Sequence, residues 1–145
     1  MRLLLCEWIR KRLLKMEKFH TTVLILEDDP NRVNSFRDRL DKEGVKFLVT
    51  DSVTACIQAL ENCEWEWLFL DHDLGGKFYV KSVGDEPTGW HVAKWLSEHP
   101  DRIPDAVILH SLNPNGRKNM KSLLPNAEEV PFAWTLVNIT DKSTK

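Results

Sequence analysis

Apolar residues recur along this chain in two periods, and the switches between them lay out its elements. "TVLILEDD" is a β-branched and aliphatic run that ends in acids. "PNRVNSFRDRLDKEG" follows, with Pro30 at a helix start, Val33, Phe36 and Leu40 at helical spacing and Gly44 as the stop. "VKFLVT" reads as a second strand. "DSVTACIQALEN" opens on an Asp-Ser cap and carries Val53, Ile57 and Leu60 on one face, and "WEWLFLD" reads as a third strand. A long loop, "HDLGGKFYVKSVGDEP", has a centre at Phe78 to Val83 that suits a small hairpin. The remainder predicts a helix in "TGWHVAKWLSEHP", a strand in "DAVILHS", a helix in "NPNGRKNMKSLLPN" and a short last strand in "EEVPFAW".

Strands separated by helices of this length define βαβ units and a parallel sheet. The near-continuous apolar strands agree, because a parallel sheet is covered on both faces. Right-handed crossovers then give a doubly wound, flavodoxin-like α/β domain. The expectation is one domain over residues 21–138, with five strands in the order 2-1-3-4-5. A basic helical extension over residues 1–20 would precede it and a tail over 139–145 would follow.

Composition narrows the class. The 145 residues suit one domain, with 42% hydrophobic and 29% charged residues and a net charge of −2. Such a balance gives no bulk electrostatic attraction to nucleic acid or membrane. The three cysteines, Cys6, Cys56 and Cys63, form no CxxC pair, which fits reduced thiols and a cytoplasmic location. Cys56 belongs to an apolar helix face and is read as core. "MRLLLCEWIRKRLLKMEKF" is basic, and its apolar run Leu3 to Cys6 is too short for a signal peptide or a membrane span. The competing readings for this segment are a helix lying on a membrane surface and an upstream extension preceding a start at Met16.

The chemistry gathers at the strand ends. In a doubly wound sheet, ligands bind beyond the carboxyl ends of the strands, where the strand order reverses. The first strand ends in Glu27-Asp28-Asp29, the third in Asp71-His72-Asp73 and the fourth in His110-Ser111. In the order 2-1-3-4-5 these three ends converge. Asp28, Asp29 and Asp71 would crowd carboxylates together, and a hard divalent cation, Mg²⁺ or Mn²⁺, relieves that repulsion. The competing reading makes these acids helix caps, as Asp before Pro commonly is. His72 and His110 are candidate general acids or bases, and His91, in the first turn of its helix, is a further candidate site residue. Ser111, Asn113 and Arg117 stand near a helix N-terminus, where backbone N–H groups favour a phosphate. Asn31 and Arg32 follow the acidic pair and either reach the site or serve only the helix start, and Lys77 in the long loop can swing over the site.

"VLILEDDPNRVNSFRDRL", "WLFLDHDL" and "VILHS" together resemble response-regulator receiver domains over roughly Thr22 to Trp134. That resemblance implies that Asp28 and Asp29 bind Mg²⁺, that Asp71 accepts a phosphoryl group and that Ser111 contacts its oxygens. Receivers also carry a lysine at the end of strand five, and "EEVPFAW" has none. "DHDLGG", "TGWHVAKWL" and "LHSLNPNG" are similar to the variant group of cyclic-phosphate processing receiver domains. This implies metal-dependent phosphoesterase-type processing of a cyclic phosphate, carried by a phosphate-containing small molecule or an RNA end. The alternative is a phospho-accepting or pseudo-receiver module that binds a protein partner without turnover.

Overall fold

The structure, a computed structural model, describes residues 22–77, 81–82 and 86–136. The N-terminal extension with Cys6, most of the Phe78–Val83 hairpin and the C-terminal tail lie outside the described residues. Five parallel strands form one sheet in the order β2-β1-β3-β4-β5, the order expected from the sequence. They are β1 (Thr22–Leu26), β2 (Lys46–Thr50), β3 (Trp67–Leu70), β4 (Ala106–Leu109) and β5 (Glu128–Glu129). The helices are α1 (Pro30–Glu43), α2 (Val53–Asn62), α3 (Gly89–Glu98), α4 (Pro114–Leu123) and the single turn α5 (Ala133–Leu136).

Each crossover helix begins and ends where the sequence supplies the chemistry. Asp29 caps α1, its carboxylate accepting from the amides of Asn31 and Arg32 at 3.0 Å, with Pro30 pre-set for the first turn. Gly44 closes the helix at φ 66°, a left-handed position that a side chain resists. Ser52 and Asn113 cap α2 and α4 in the same manner.

Strand pleating sorts the core into two layers. Leu24, Leu26, Leu68, Leu70, Val107 and Leu109 face α2, α3 and α4, with Cys56, Leu60, Val92, Leu96 and Met120 packed on them. Val23, Ile25, Phe69 and Ile108 face α1 and α5, where Phe36, Leu40 and Ala133 close the layer. Full burial of side chains such as Phe36 and Leu40 contributes roughly 1.5–3 kcal/mol each. Burial also pushes the Cys56 thiol up to about 12, in keeping with a packing role.

The last strand is shorter than its sequence suggested. In "EEVPFAW" Glu128 and Glu129 pair with β4, and the Val130 amide adds a last bond to Leu109 O at 2.9 Å. Pro131 offers no amide to extend the ladder, and the chain turns into α5, which carries Trp134.

Candidate functional site

Register decides which polar residues meet. Leu26 pairs with Leu70, and Leu70 pairs with Leu109. The next residue on each strand is therefore Glu27, Asp71 and His110, all in one row. Each also follows by one pleat an apolar residue of the layer that faces α2, α3 and α4, so all three side chains turn to the opposite, α1 face of the sheet. The ladder carries them: the Asp71 amide donates to Leu26 O and the His110 amide to Leu70 O, both at 3.2 Å. All are buried, and one ligand-capable atom from each lies within 4.8 Å of the others.

Glu27 is the hub of this cluster. Its Oε1 accepts from Arg32 Nε at 2.7 Å and pairs with His110 Nε2 at 3.0 Å. Its Oε2 accepts from Arg32 Nη2 at 3.1 Å and from the amides of Asp28 and Asp29 at 3.0 Å. Arg32 Nη2 also stands 3.4 Å from Asp71 Oδ2, and the Arg32 guanidinium lies 5.3 Å from the centre of the Trp134 ring. The two carboxyl groups separate accordingly. Burial pushes Glu27 up, but the hydrogen bonds from His110 and Arg32 outweigh it and hold the carboxyl down at about 2. Asp71 is pushed up to about 8, first by burial and then by the Glu27 carboxylate, which Arg32 only partly offsets. The two groups are thus driven apart, Glu27 towards the ionised form and Asp71 towards the neutral one.

His110 packs among Phe36, Phe69 and Trp134, with ring centroids 5.2, 6.5 and 6.1 Å away. Its Nδ1 is buried without a hydrogen-bond partner. An unpartnered N–H in that apolar box costs more than a bare lone pair, which favours the tautomer with the proton on Nε2, donated to Glu27.

His72 belongs to a different cluster. It is one pleat beyond Asp71, so its ring crosses to the opposite face of the sheet. There Nδ1 pairs with Asp73 Oδ1 and Nε2 with Ser82 Oγ, each at 2.8 Å. Asn113 Nδ2 donates to Asp73 Oδ1 at 3.0 Å, and Asn119 Nδ2 donates to Ser82 Oγ at 2.7 Å. The imidazole is fully buried against Gly116. His72 and His110 therefore do not share one crevice.

The other candidates are placed as follows. Asp29 is occupied as the α1 cap. Asp28 Oδ2 accepts from the amides of Gly75 and Gly76, holding the loop after β3. In this arrangement the carboxylate that meets Asp71 is that of Glu27, and neither Asp28 nor Asp29 takes that place. His91 Nδ1 accepts from the Thr88 amide at 3.1 Å, a capping contact at the start of α3. Ser111 is buried, its Oγ accepting from the Asn113 amide at 3.1 Å. Asn113 caps α4 through Gly116 N at 2.9 Å. Arg117 Nη1 donates to Ser111 O at 2.7 Å and its guanidinium pairs with Glu129, so it braces β4 against β5. Lys77 pairs with Glu86 across the loop at 2.5 Å. Glu27 and Asp28 also border an open cavity of about 460 Å³, with Asn34, Arg37 and Asp51 on its other walls.

Glu27 is not among the ligands expected from the sequence, and Arg32 is expected there only at the helix start or within reach of the site. The signal for Glu27 was present: it is the first polar residue after the last apolar position of β1, just as Asp71 and His110 are on β3 and β4.

A doubly wound sheet in this order, with a buried carboxyl group ending β3 beside another ending β1, is the architecture of a receiver domain. Solved structures agree. The response regulator TrrA from Thermotoga maritima, in complex with Mg²⁺-BeF, matches with a TM-score of 0.63 and 16% identity, over 86% of this chain and 97% of that one. A CheY-like receiver domain from Methylobacillus flagellatus matches at 0.61 and 19% identity, over 86% and 98%. The Mn²⁺-bound response regulator Rcp1 matches at 0.58 and 18% identity, over 84% and 86%. At these identities the shared property is the fold. More narrowly, the chain belongs to the cyclic-phosphate processing receiver domain family, whose sequence profile matches residues 22–126. No curated protein matches it. Among the described residues no helix is long and apolar enough to cross a membrane.

Proposed function

We propose that this protein opens a cyclic phosphate ester in a metal-dependent reaction at the ends of β1, β3 and β4. The observation that carries the reading is the buried row of Glu27, Asp71 and His110, whose ligand-capable atoms lie within 4.8 Å of one another. Two carboxylates form a donor set suited to a hard divalent cation such as Mg²⁺ or Mn²⁺. Arg32, a cation already drawn to both of them, shows that the spot attracts positive charge. Glu27 and Asp71 would hold the ion, which when bound neutralises phosphate charge and activates water.

The chain's own groups then handle protons. In ring opening, a water oxygen forms a bond to phosphorus, one ring P–O bond breaks and the departing sugar oxygen takes up a proton. His110 carries its proton on Nε2, facing the carboxyl groups, and is placed to supply it. Asp71, as a holder of the ion, would be ionised, so His110 is the group that handles the leaving oxygen's proton while the attacking water's proton passes to solvent. The substrate class is a 2′,3′-cyclic phosphate on a nucleotide or an RNA end.

The test is turnover of 2′,3′-cyclic nucleotides and cyclic-phosphate-ended RNA with Mg²⁺ or Mn²⁺. Glu27→Gln, Asp71→Asn and His110→Ala should each lower the rate by roughly 10²–10⁴-fold. Turnover that survives all three would sink the proposal. A second reading is favoured by Arg32 lying 3.4 Å from Asp71, since a cation there would steady a phosphorylated carboxylate. In that case acetyl phosphate would leave an adduct on the intact protein that Asp71→Asn abolishes, and no ring opening would occur.

A further inference from the structure

We propose that Arg32 is the resident, displaceable counter-cation of the Glu27–Asp71 pocket, so that binding a divalent ion requires the guanidinium to leave. This rests on the reading of the pocket as a metal site and assigns its regulation.

The argument is one of available lone pairs. A carboxylate offers about four acceptor positions. Glu27 already engages five groups: Arg32 Nε and His110 Nε2 at one oxygen, and Arg32 Nη2 with the Asp28 and Asp29 amides at the other. Asp71 Oδ1 accepts from the His72 amide at 2.8 Å, and its Oδ2 faces Arg32 Nη2. The oxygens a metal would need are thus held by Arg32, by His110 or by fixed backbone. The amides cannot leave without unwinding the start of α1, and His110 is locked among aromatic rings. Arg32 is the movable member. Its side chain is 21% exposed, it belongs to the first turn of α1 and it reaches the pocket along a flexible stem.

Charge complementarity points the same way. Guanidinium and a divalent ion compete for the same field, and two cations at the same oxygens repel strongly where water is scarce. Trp134 bears on the balance. Its ring lies under the guanidinium while Arg32 grips the carboxylates, so it steadies the closed arrangement. The consequence is a pocket whose charge is balanced while Arg32 holds it. Metal affinity is then set by the difference between two cations and falls below what the carboxylates alone would give.

The experiment is a Mn²⁺ titration of the full chain, with free ion counted by electron paramagnetic resonance and Mg²⁺ added in competition. Arg32→Ala should bind Mn²⁺ roughly ten- to a hundred-fold more tightly than the native protein, the range expected when a charged hydrogen-bond partner no longer competes. Arg32→Lys keeps the charge but loses the bidentate fork, and should fall between the two. Trp134→Leu should shift affinity in the same direction by less. These variants carry the test if Arg32→Ala fails to fold by circular dichroism. Unchanged or weaker binding across the folded variants overturns the proposal. Absence of binding in every protein overturns it together with the metal site. Tight binding by Arg32→Ala without any ring opening leaves the Arg32 assignment standing and removes the esterase reading.

Discussion

Gly116 lies directly under the imidazole of His72: a Cβ built on it would meet Cγ at 2.5 Å and Cδ2 and Nδ1 at 2.8 Å. Ala in place of Gly within a helix ordinarily gains up to about 1 kcal/mol. Here the sign reverses, because the ring is fixed by Asp73 and Ser82 and cannot swing aside. Gly116→Ala should destabilise by about 1–3 kcal/mol, the usual cost of overpacking. Urea denaturation would measure it. Combined with His72→Ala, the penalty should largely vanish, and a persisting penalty would show that the contact is not its cause.

Asp29 separates a cap from a metal ligand. Its carboxylate accepts from two amides at the start of α1. Asp29→Ala should therefore cost about 1 kcal/mol of stability. Mn²⁺ affinity should stay within about two-fold of the native value, far from the roughly ten-fold or larger loss expected of a missing charged ligand. A loss on that larger scale would return Asp29 to the metal site.

The opposite displacements of Glu27 and Asp71 set a pH profile for the metal-free protein. Glu27 is held below its ordinary 4.5 at about 2, so its stabilising contribution is complete above pH 4.5 and is lost as pH falls towards 2. Asp71 is raised from 3.8 to about 8. Above pH 3.8 the unfolded chain has released this proton while the folded chain keeps it. That contribution is therefore present at low pH and lost as pH rises towards 8. Stability in chelator should be greatest between these limbs. Asp71→Asn should flatten the alkaline limb and leave the variant more stable than the native protein at pH 8. An unaltered alkaline limb in that variant would show that Asp71 is not its source.

Ser82 fastens the loop after β3 to the sheet, its hydroxyl bridging His72 Nε2 and Asn119 Nδ2 at 2.8 and 2.7 Å. Ser82→Ala removes both bonds and leaves a buried imidazole nitrogen unpaired. About 1–3 kcal/mol should be lost, together with faster amide exchange in the loop segment around it. Exchange rates identical to those of the native protein would contradict a fastening role.

Much of this protein was settled by its sequence. The apolar runs of four or five residues, separated by capped amphipathic helices, demand a parallel sheet covered on both faces. Asp29-Pro30, Ser52 and Gly44 mark where the helices begin or end. That the strand ends would be polar also followed from the pattern, and that three of them are adjacent follows once the order is 2-1-3-4-5. What it left open is which residue of each polar cluster faces its neighbours, because that depends on register and pleat. A shift of one residue along a strand sends a side chain to the other face. So Glu27, Asp71 and His110 form one buried row. His72, adjacent to Asp71 in the chain, joins Asp73, Ser82 and Asn113 on the far side. Only the tertiary structure could put Arg32 between the two carboxyl groups, since its reach to Asp71 depends on how α1 lies across the sheet.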